Sequence, residues 1–332
     1  MQSIKQQIKD KSVQGAYLIY GEEDYLKDFY TNRIVELCTE EGPVEFNCMK
    51  VNTDKIDLDS IAEFTVSTPF MADKKILVIK NSGIFAKAND AVKKFWVETL
   101  ETLPDYLVIV FCESNVDKRS AIYKAMAKSH TIEEFPLSSE ADLINWFARV
   151  LKSGNKMMTK DDIAFVIENV GRNMYLLKSE ADKLISFTYN KPELISHEDI
   201  EACICKSLEG KIFELIDNII KGDRAKVING INDLKTLREQ PVMIVVLIAR
   251  QFTLMRRVKA YSQLPFSTIV QKTKQKEFVI KKASGNAKRF TDEELDNAIF
   301  MCNKADESIK SGAKEAWLTV EQLAISLMPE KR

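Results

Sequence analysis

Five short apolar runs, rich in β-branched and aromatic residues, punctuate the first 135 residues, at 17–20, 46–51, 75–79, 106–111 and 131–135. The stretches between them carry apolar positions at helical spacing, as at Phe29, Ile34 and Leu37. Strands of this length alternating with helices predict an α/β unit with a mostly parallel sheet. The third and fourth runs, KKILVI and LVIVF, are almost free of polar interruption. Central strands covered on both faces have that pattern.

After Pro136 the helical period takes over. Ser138 and Ser139 stand where a helix cap belongs, ahead of Leu143, Trp146, Phe147, Val150 and Leu151 on one face, with Gly154 closing the run. Thr159 caps a second helix that ends before Gly171, a third carries Leu176, Leu177 and Leu184, and Ser196 starts a fourth. From Lys211 onward everything reads as helix. Ile212, Leu215, Ile216, Ile219 and Ile220 form one stripe, Pro241 suits a first helical turn, and Thr291 with Glu294 makes a capping box. The periods divide the chain into an α/β domain at 1–137, a small helical domain at 138–209 and a larger helical domain at 210–332.

The composition suits such a chain, with 332 residues, 45% hydrophobic, and only 11 Gly and 8 Pro to interrupt helices. MQSIKQQIKDKS at the amino terminus has no apolar core of a secretory signal, and the apolar stretch 242–249 is too short to span a bilayer. Six scattered cysteines form no disulfide framework, so a cytoplasmic protein with no membrane association is expected. The charge is uneven: residues 1–210 carry 26 Lys and Arg against 34 Asp and Glu, and residues 211–332 carry 22 against 15. Between Arg250 and Arg289 there are eleven basic residues and one acid, Glu277. Two readings stand side by side, a nucleic-acid contact and a solvated helical face beside an acidic protein neighbour.

The turn after the first strand, YGEEDYLK, has the position of a phosphate-binding loop, which needs glycines, a lysine and a Ser or Thr. Gly21 stands alone, Lys27 follows without the second Gly or the hydroxyl, and Glu22, Glu23 and Asp24 carry the charge of the phosphate itself. Those acids suit a helix start, where they complement the macrodipole. The strand at 75–79 ends in Lys80-Asn81, which offers no carboxylate for magnesium. The one acid at the end of the fourth strand, Glu113, is expected at the surface. His130 and His197 are the only histidines, and Cys203 and Cys205, two apart on an expected helix, point to different faces, so no triad or zinc site is expected. Asp161-Asp162 and Asp292-Glu293-Glu294 read as helix-start acids rather than catalytic pairs.

Seven segments occur in order along the chain: AYLIYGEEDYLKDFY, STPFMADKKILVIKN, LVIVFCESNVDKRSAIYKAMAK, GRNMYLLKSEADKL, FELIDNIIKGDRAKVINGINDL, QPVMIVVLIARQFTLMRRVK and FVIKKASGNAKRF. Together they resemble the bacterial DNA polymerase III delta subunit family over nearly the whole length. The resemblance implies an AAA+-like five-stranded α/β domain without a working nucleotide site, a helical lid and a carboxy-terminal helical collar. It implies no catalytic activity of the chain's own, no ATP or other cofactor, and action within the DNA polymerase III holoenzyme. Met174 in GRNM, near where an AAA+ lid offers arginine, agrees with that.

The family opens the ring-shaped sliding clamp with a short hydrophobic element before the third strand. Here that position is Thr68, Pro69, Phe70 and Met71, with Pro69 and Phe70 standing for the family's apolar–phenylalanine pair. The residues alone also allow Phe70 to plug its own domain's core. The implied partners are the clamp (the beta subunit), the loader's ATPase and delta-prime subunits, and primer–template DNA. The collar residues placed to meet DNA phosphates are Lys272, Lys274, Lys276, Lys281, Lys282, Lys288 and Arg289, with Phe278 and Phe290 for base stacking or core packing. Two rival readings are an ATPase with an atypical phosphate loop and a stand-alone DNA-binding protein.

Overall fold

The five apolar runs fold as parallel strands β1 (Ala16–Tyr20), β2 (Cys48–Val51), β3 (Lys75–Lys80), β4 (Leu107–Glu113) and β5 (Thr131–Glu134). The coordinates are a computed structural model that describes residues 3–52, 57–205, 207–275 and 277–328. The sheet order is β2-β3-β4-β1-β5, the AAA+-like α/β arrangement that the resemblance implies. The central strands β1, β3 and β4 are buried almost throughout, whereas the edge strands β2 and β5 are only half covered.

Alternation within the central strands serves two cores at once. Leu18, Leu77, Ile79, Ile109 and Phe111 cluster with Ile61 of α4 (Leu58–Val66), Trp96 of α5 (Asp90–Glu101) and Met126 of α6 (Ala121–Ser129). Tyr17, Ile19, Ile76, Val78, Val108 and Val110 cluster with Ile4 of α1 (Ile4–Lys9) and with Ile34 and Val35 of α2 (Asp24–Cys38). Each such side chain contributes about 1.5–3 kcal/mol when fully buried. Two strand limits differ from expectation by two residues, the others by one at most. Val44–Asn47 form a short helix, α3, so Phe46 and Asn47 precede β2, and β4 runs on to Glu113.

These elements form one compact unit, residues 1–143, and residues 144–332 form a second. α7 (Glu140–Ser153) runs from the first unit into the second, where α8 (Lys160–Val170), α9 (Met174–Phe187) and α10 (His197–Cys203) follow. The hydroxyls of Thr159 and Ser196 accept from the amides of Asp162 and Asp199, at 3.1 and 3.2 Å, and so cap α8 and α10. Cys205 lies beyond α10 rather than on it. Among the described residues seven further helices follow: α11 (Leu208–Lys221), α12 (Arg224–Thr236), α13 (Pro241–Ala260), α14 (Phe266–Thr273), α15 (Glu277–Ala287), α16 (Asp292–Lys310) and α17 (Ala316–Ser326). Their core gathers Ile244, Ile248, Phe252 and Met255 of α13 with Leu295, Ala298 and Cys302 of α16. The Thr291–Glu294 capping box forms in both directions, at 2.6 and 3.1 Å. Among the described residues no helix is long and apolar enough to cross a membrane.

Candidate functional site

The turn from β1 into α2 is where a related fold would hold a nucleotide's phosphates, and here the chain fills it itself. The Gly21 amide donates to the Glu113 carbonyl at 3.2 Å and the Glu23 amide to the Phe135 carbonyl at 3.0 Å. Two of the donors a phosphate would need are thereby engaged. The backbone closes so tightly that a Cβ on Gly21, at φ 122°, would stand 2.3 Å from the Phe135 oxygen. Lys27 is buried, and its ammonium donates to the Gly21 carbonyl at 2.6 Å and pairs with Asp24 at 3.0 Å. A cation held inward by loop carbonyls is the reverse of a phosphate cradle.

Each acid of the turn has its own position. Glu22 is exposed, Asp24 opens α2, and Glu23 is the N-cap residue without a side-chain cap bond. Burial pushes the Glu23 carboxyl above the usual carboxylate range. Glu113 is not at the surface. It is buried, and its carboxylate accepts from the Ser82 amide at 3.0 Å, the Gly83 amide at 3.1 Å and the Ser82 hydroxyl. That engagement ties the end of β4 to the turn after β3. Among the described residues no group of three or more His, Cys, Asp or Glu is placed to hold a metal ion. His197 instead meets Asp162, Nδ1 to Oδ1, at 2.8 Å.

The second place of interest is the turn between α4 and β3. Thr68 and Met71 are exposed, Pro69 is half-buried, and Phe70 leaves 52% of its surface in solvent, so Phe70 is no core plug. The turn is held at both ends. At its start the ammonium of Lys75, a fully buried residue, donates to the carbonyls of Phe64 and Ser67, at 2.5 and 3.0 Å, and to the Ser67 hydroxyl at 2.7 Å. Those carbonyls lie at the C-terminal end of α4, where the helix dipole favours a cation. Burial pushes the Lys75 pKa down. At the far end, fully buried Asn47 accepts from the Phe70 amide at 2.8 Å and donates to the Phe70 carbonyl at 2.8 Å and the Pro43 carbonyl at 3.1 Å. Phe46 lies beside Phe70, with ring centroids 5.2 Å apart. Sequence reasoning missed both residues, because it placed them in a strand.

The basic residues expected to meet DNA fall on α14, α15 and the turns after them. Lys272 and Lys274 lie at the end of α14, Lys281 on α15, and Lys288 and Arg289 beyond it, all exposed. Lys282 is different, since its ammonium meets Glu168 at 2.6 Å and Asp217 at 3.1 Å. Burial works to lower its pKa, but the two carboxylates outweigh it and hold the value above the ordinary lysine range. Lys276 and the side chain of Phe278 lie outside the described residues. Phe290 is buried, edge-to-face with Phe252 at 5.8 Å.

The family profile described as DNA polymerase III, delta subunit matches residues 17–135, and the profile of that subunit's C-terminal domain matches residues 209–327. The chain is similar to DNA polymerase III subunit delta of Bacillus subtilis (strain 168), with 24% identity over 97% of this chain and 95% of the relative. Among solved structures it is similar to the Bacillus subtilis DNA clamp loader delta protein, 23% identical, covering 98% of each chain at a TM-score of 0.65. That likeness is one of fold. With two profiles of one subunit matching in order across both compact units, the chain belongs to the DNA polymerase III delta subunit family.

Proposed function

We propose that this chain is the clamp-loader subunit that binds and opens the ring-shaped sliding clamp, with the turn at 68–71 as its contact. One observation carries the reading: Phe70 holds its ring half out in solvent while its own amide and carbonyl are fixed by a buried side chain. An aromatic presented on a backbone that is already ordered loses little entropy on docking, which suits an anchor. Burying the exposed half of a Phe, on the order of 100 Å², is worth about 2.5 kcal/mol, or about 70-fold in affinity.

Opening needs no bond chemistry in this chain. A surface that fits the sprung clamp better than the closed ring shifts the population toward open. Control by ATP falls to the ATPase subunits of the assembly, which agrees with the filled turn at Gly21 and Lys27. We read residues 138–209 as the lid and 210–332 as the collar by which the subunit joins the delta-prime and ATPase subunits. Lys272, Lys274, Lys281, Lys288 and Arg289 are the set we assign to primer–template DNA; Lys282 is left out because its charge is met by Glu168 and Asp217. The test is a calorimetric titration of the chain with the sliding clamp of the same organism, without ATP. Binding by the wild type and its weakening by about 70-fold in Phe70→Ala are expected, and equal affinity of the two would overturn the reading.

A further inference from the structure

A single aromatic is too small a lever for this task. Turning a ring population from 1:99 to 99:1 takes about 5.5 kcal/mol of differential binding, more than the exposed half of Phe70 supplies. The surface around the turn shows where more contact lies. Val44 and Phe46, two of the four residues of α3, are 46% and 64% exposed, and Met71 is 78% exposed. With Phe70 they make an apolar cluster built from two segments, of a kind that isolated surfaces rarely carry.

We infer that the contact extends onto α3: Phe46 is a second aromatic anchor, Asn47 positions Phe70, and the partner surface is a two-lobed apolar pocket with a basic rim. This rests on the clamp-binding reading above. Asn47 offers the Phe70 backbone the donor and acceptor that a neighbouring strand would offer, and its third bond, to Pro43, ties the turn to the start of α3. Close packing reinforces the join, because a Cβ on Gly42 would stand 2.6 Å from the Met71 carbonyl oxygen. Met71 itself has φ 51°, a left-handed backbone that a non-glycine residue keeps only when its surroundings impose it. The 42–47 segment and the 70–72 segment are therefore one piece, and both aromatic rings are carried on it.

Charge describes the partner. Glu41 and Glu45, flanking the α3 apolar residues in sequence, and Asp73, two residues past Met71, are all exposed. Among the described residues from 40 to 74, Lys50 and Lys74 are the only bases, and the Lys74 ammonium is drawn to the Val13 carbonyl. An apolar centre with an acidic rim selects a pocket rimmed by lysine or arginine and speeds encounter with it.

The experiment titrates the full chain with the sliding clamp, comparing wild type, Phe46→Ala, Asn47→Ala, Phe70→Ala and the Asn47→Ala/Phe70→Ala double variant. Phe46→Ala and Asn47→Ala are each expected to weaken binding about tenfold. In the Phe70→Ala background, Asn47→Ala should add nothing, since its effect passes through Phe70. The Phe70 amide should exchange slowly in the wild type and freely in Asn47→Ala, a change that general destabilisation would not confine to one amide. Raising salt from about 0.1 M to about 1 M, where the screening length falls from ~10 to ~3 Å, should slow association. If Phe46→Ala and Asn47→Ala bind as wild type while Phe70→Ala does not, this inference falls and the clamp-binding reading stands. Phe46 is exposed, so its variant tests the idea even if Asn47→Ala folds poorly. Wild-type affinity in Phe70→Ala overturns both.

Discussion

Two turns of the same domain, the one after β1 and the one before β3, use lysine in opposite services. After β1, Lys27 closes a concave site: its ammonium sits against the Gly21 carbonyl, and the loop amides are engaged by Glu113 and Phe135. Before β3, Lys75 readies a convex one, gathering the last carbonyls of α4 so that the chain can leave the helix and project Phe70. Both are long cations buried by their own backbone carbonyls, which satisfies the ammonium without a ligand. The difference lies in what is left outside. The first turn spends its lysine and the Gly21 and Glu23 amides on its own chain, and the second leaves an aromatic ring outside.

Four substitutions test this contrast, from the largest effect to the smallest. Gly21→Ala drives a methyl into the Phe135 carbonyl and should cost more than about 3 kcal/mol, read as a drop in the urea midpoint; an unmoved midpoint would show that the closure is not rigid. Lys27→Met leaves the Gly21 carbonyl without its cation and should cost about 1–3 kcal/mol, with no affinity gained for a fluorescent ATP analogue. Gained affinity would mean that the lysine alone closes a site otherwise intact. Phe70→Ala, whatever it does to the proposed clamp contact, should cost under about 1 kcal/mol in stability, which separates presentation from packing. Glu23→Gln should act in the other direction. Burial raises the Glu23 pKa in the folded chain, so its contribution to stability is full below the unfolded value and is lost as pH rises through the folded one. The variant should melt higher than wild type at neutral pH and equal to it below about pH 4, as measured by thermal denaturation across pH.

What the sequence made legible is what depends on near neighbours. The unbroken runs of β3 and β4, the caps at Thr159 and Ser196 and the box at Thr291 and Glu294 all follow from chemistry within a few residues. The misreadings share the opposite cause. Phe46 looked like strand because FNCMKV is β-prone, yet α3 is fixed by Asn47 reaching residue 70. Glu113 looked like surface because its three donors come from Ser82 and Gly83, some thirty residues away. Lys282 looked free because Glu168 lies 114 residues earlier in the chain. The exposure of Phe70 was the reading least open to pattern, since the same aromatic at the same spacing would serve a core equally well.

The position of β1 in the sheet bears on how the protein is made. β1 lies between β4 and β5, pairing Ala16 with Ile109 and Tyr17 with Thr131. β1 leaves the ribosome before either partner and therefore waits for strands roughly a hundred residues behind it, on the order of ten seconds of synthesis. Until then its AYLIY run is an unpaired apolar edge, and the sheet cannot close by growing outward from its beginning. The same late segment brings Phe135, whose carbonyl seals the turn at Gly21. In the nascent chain that turn stays unsealed until the whole α/β unit has emerged.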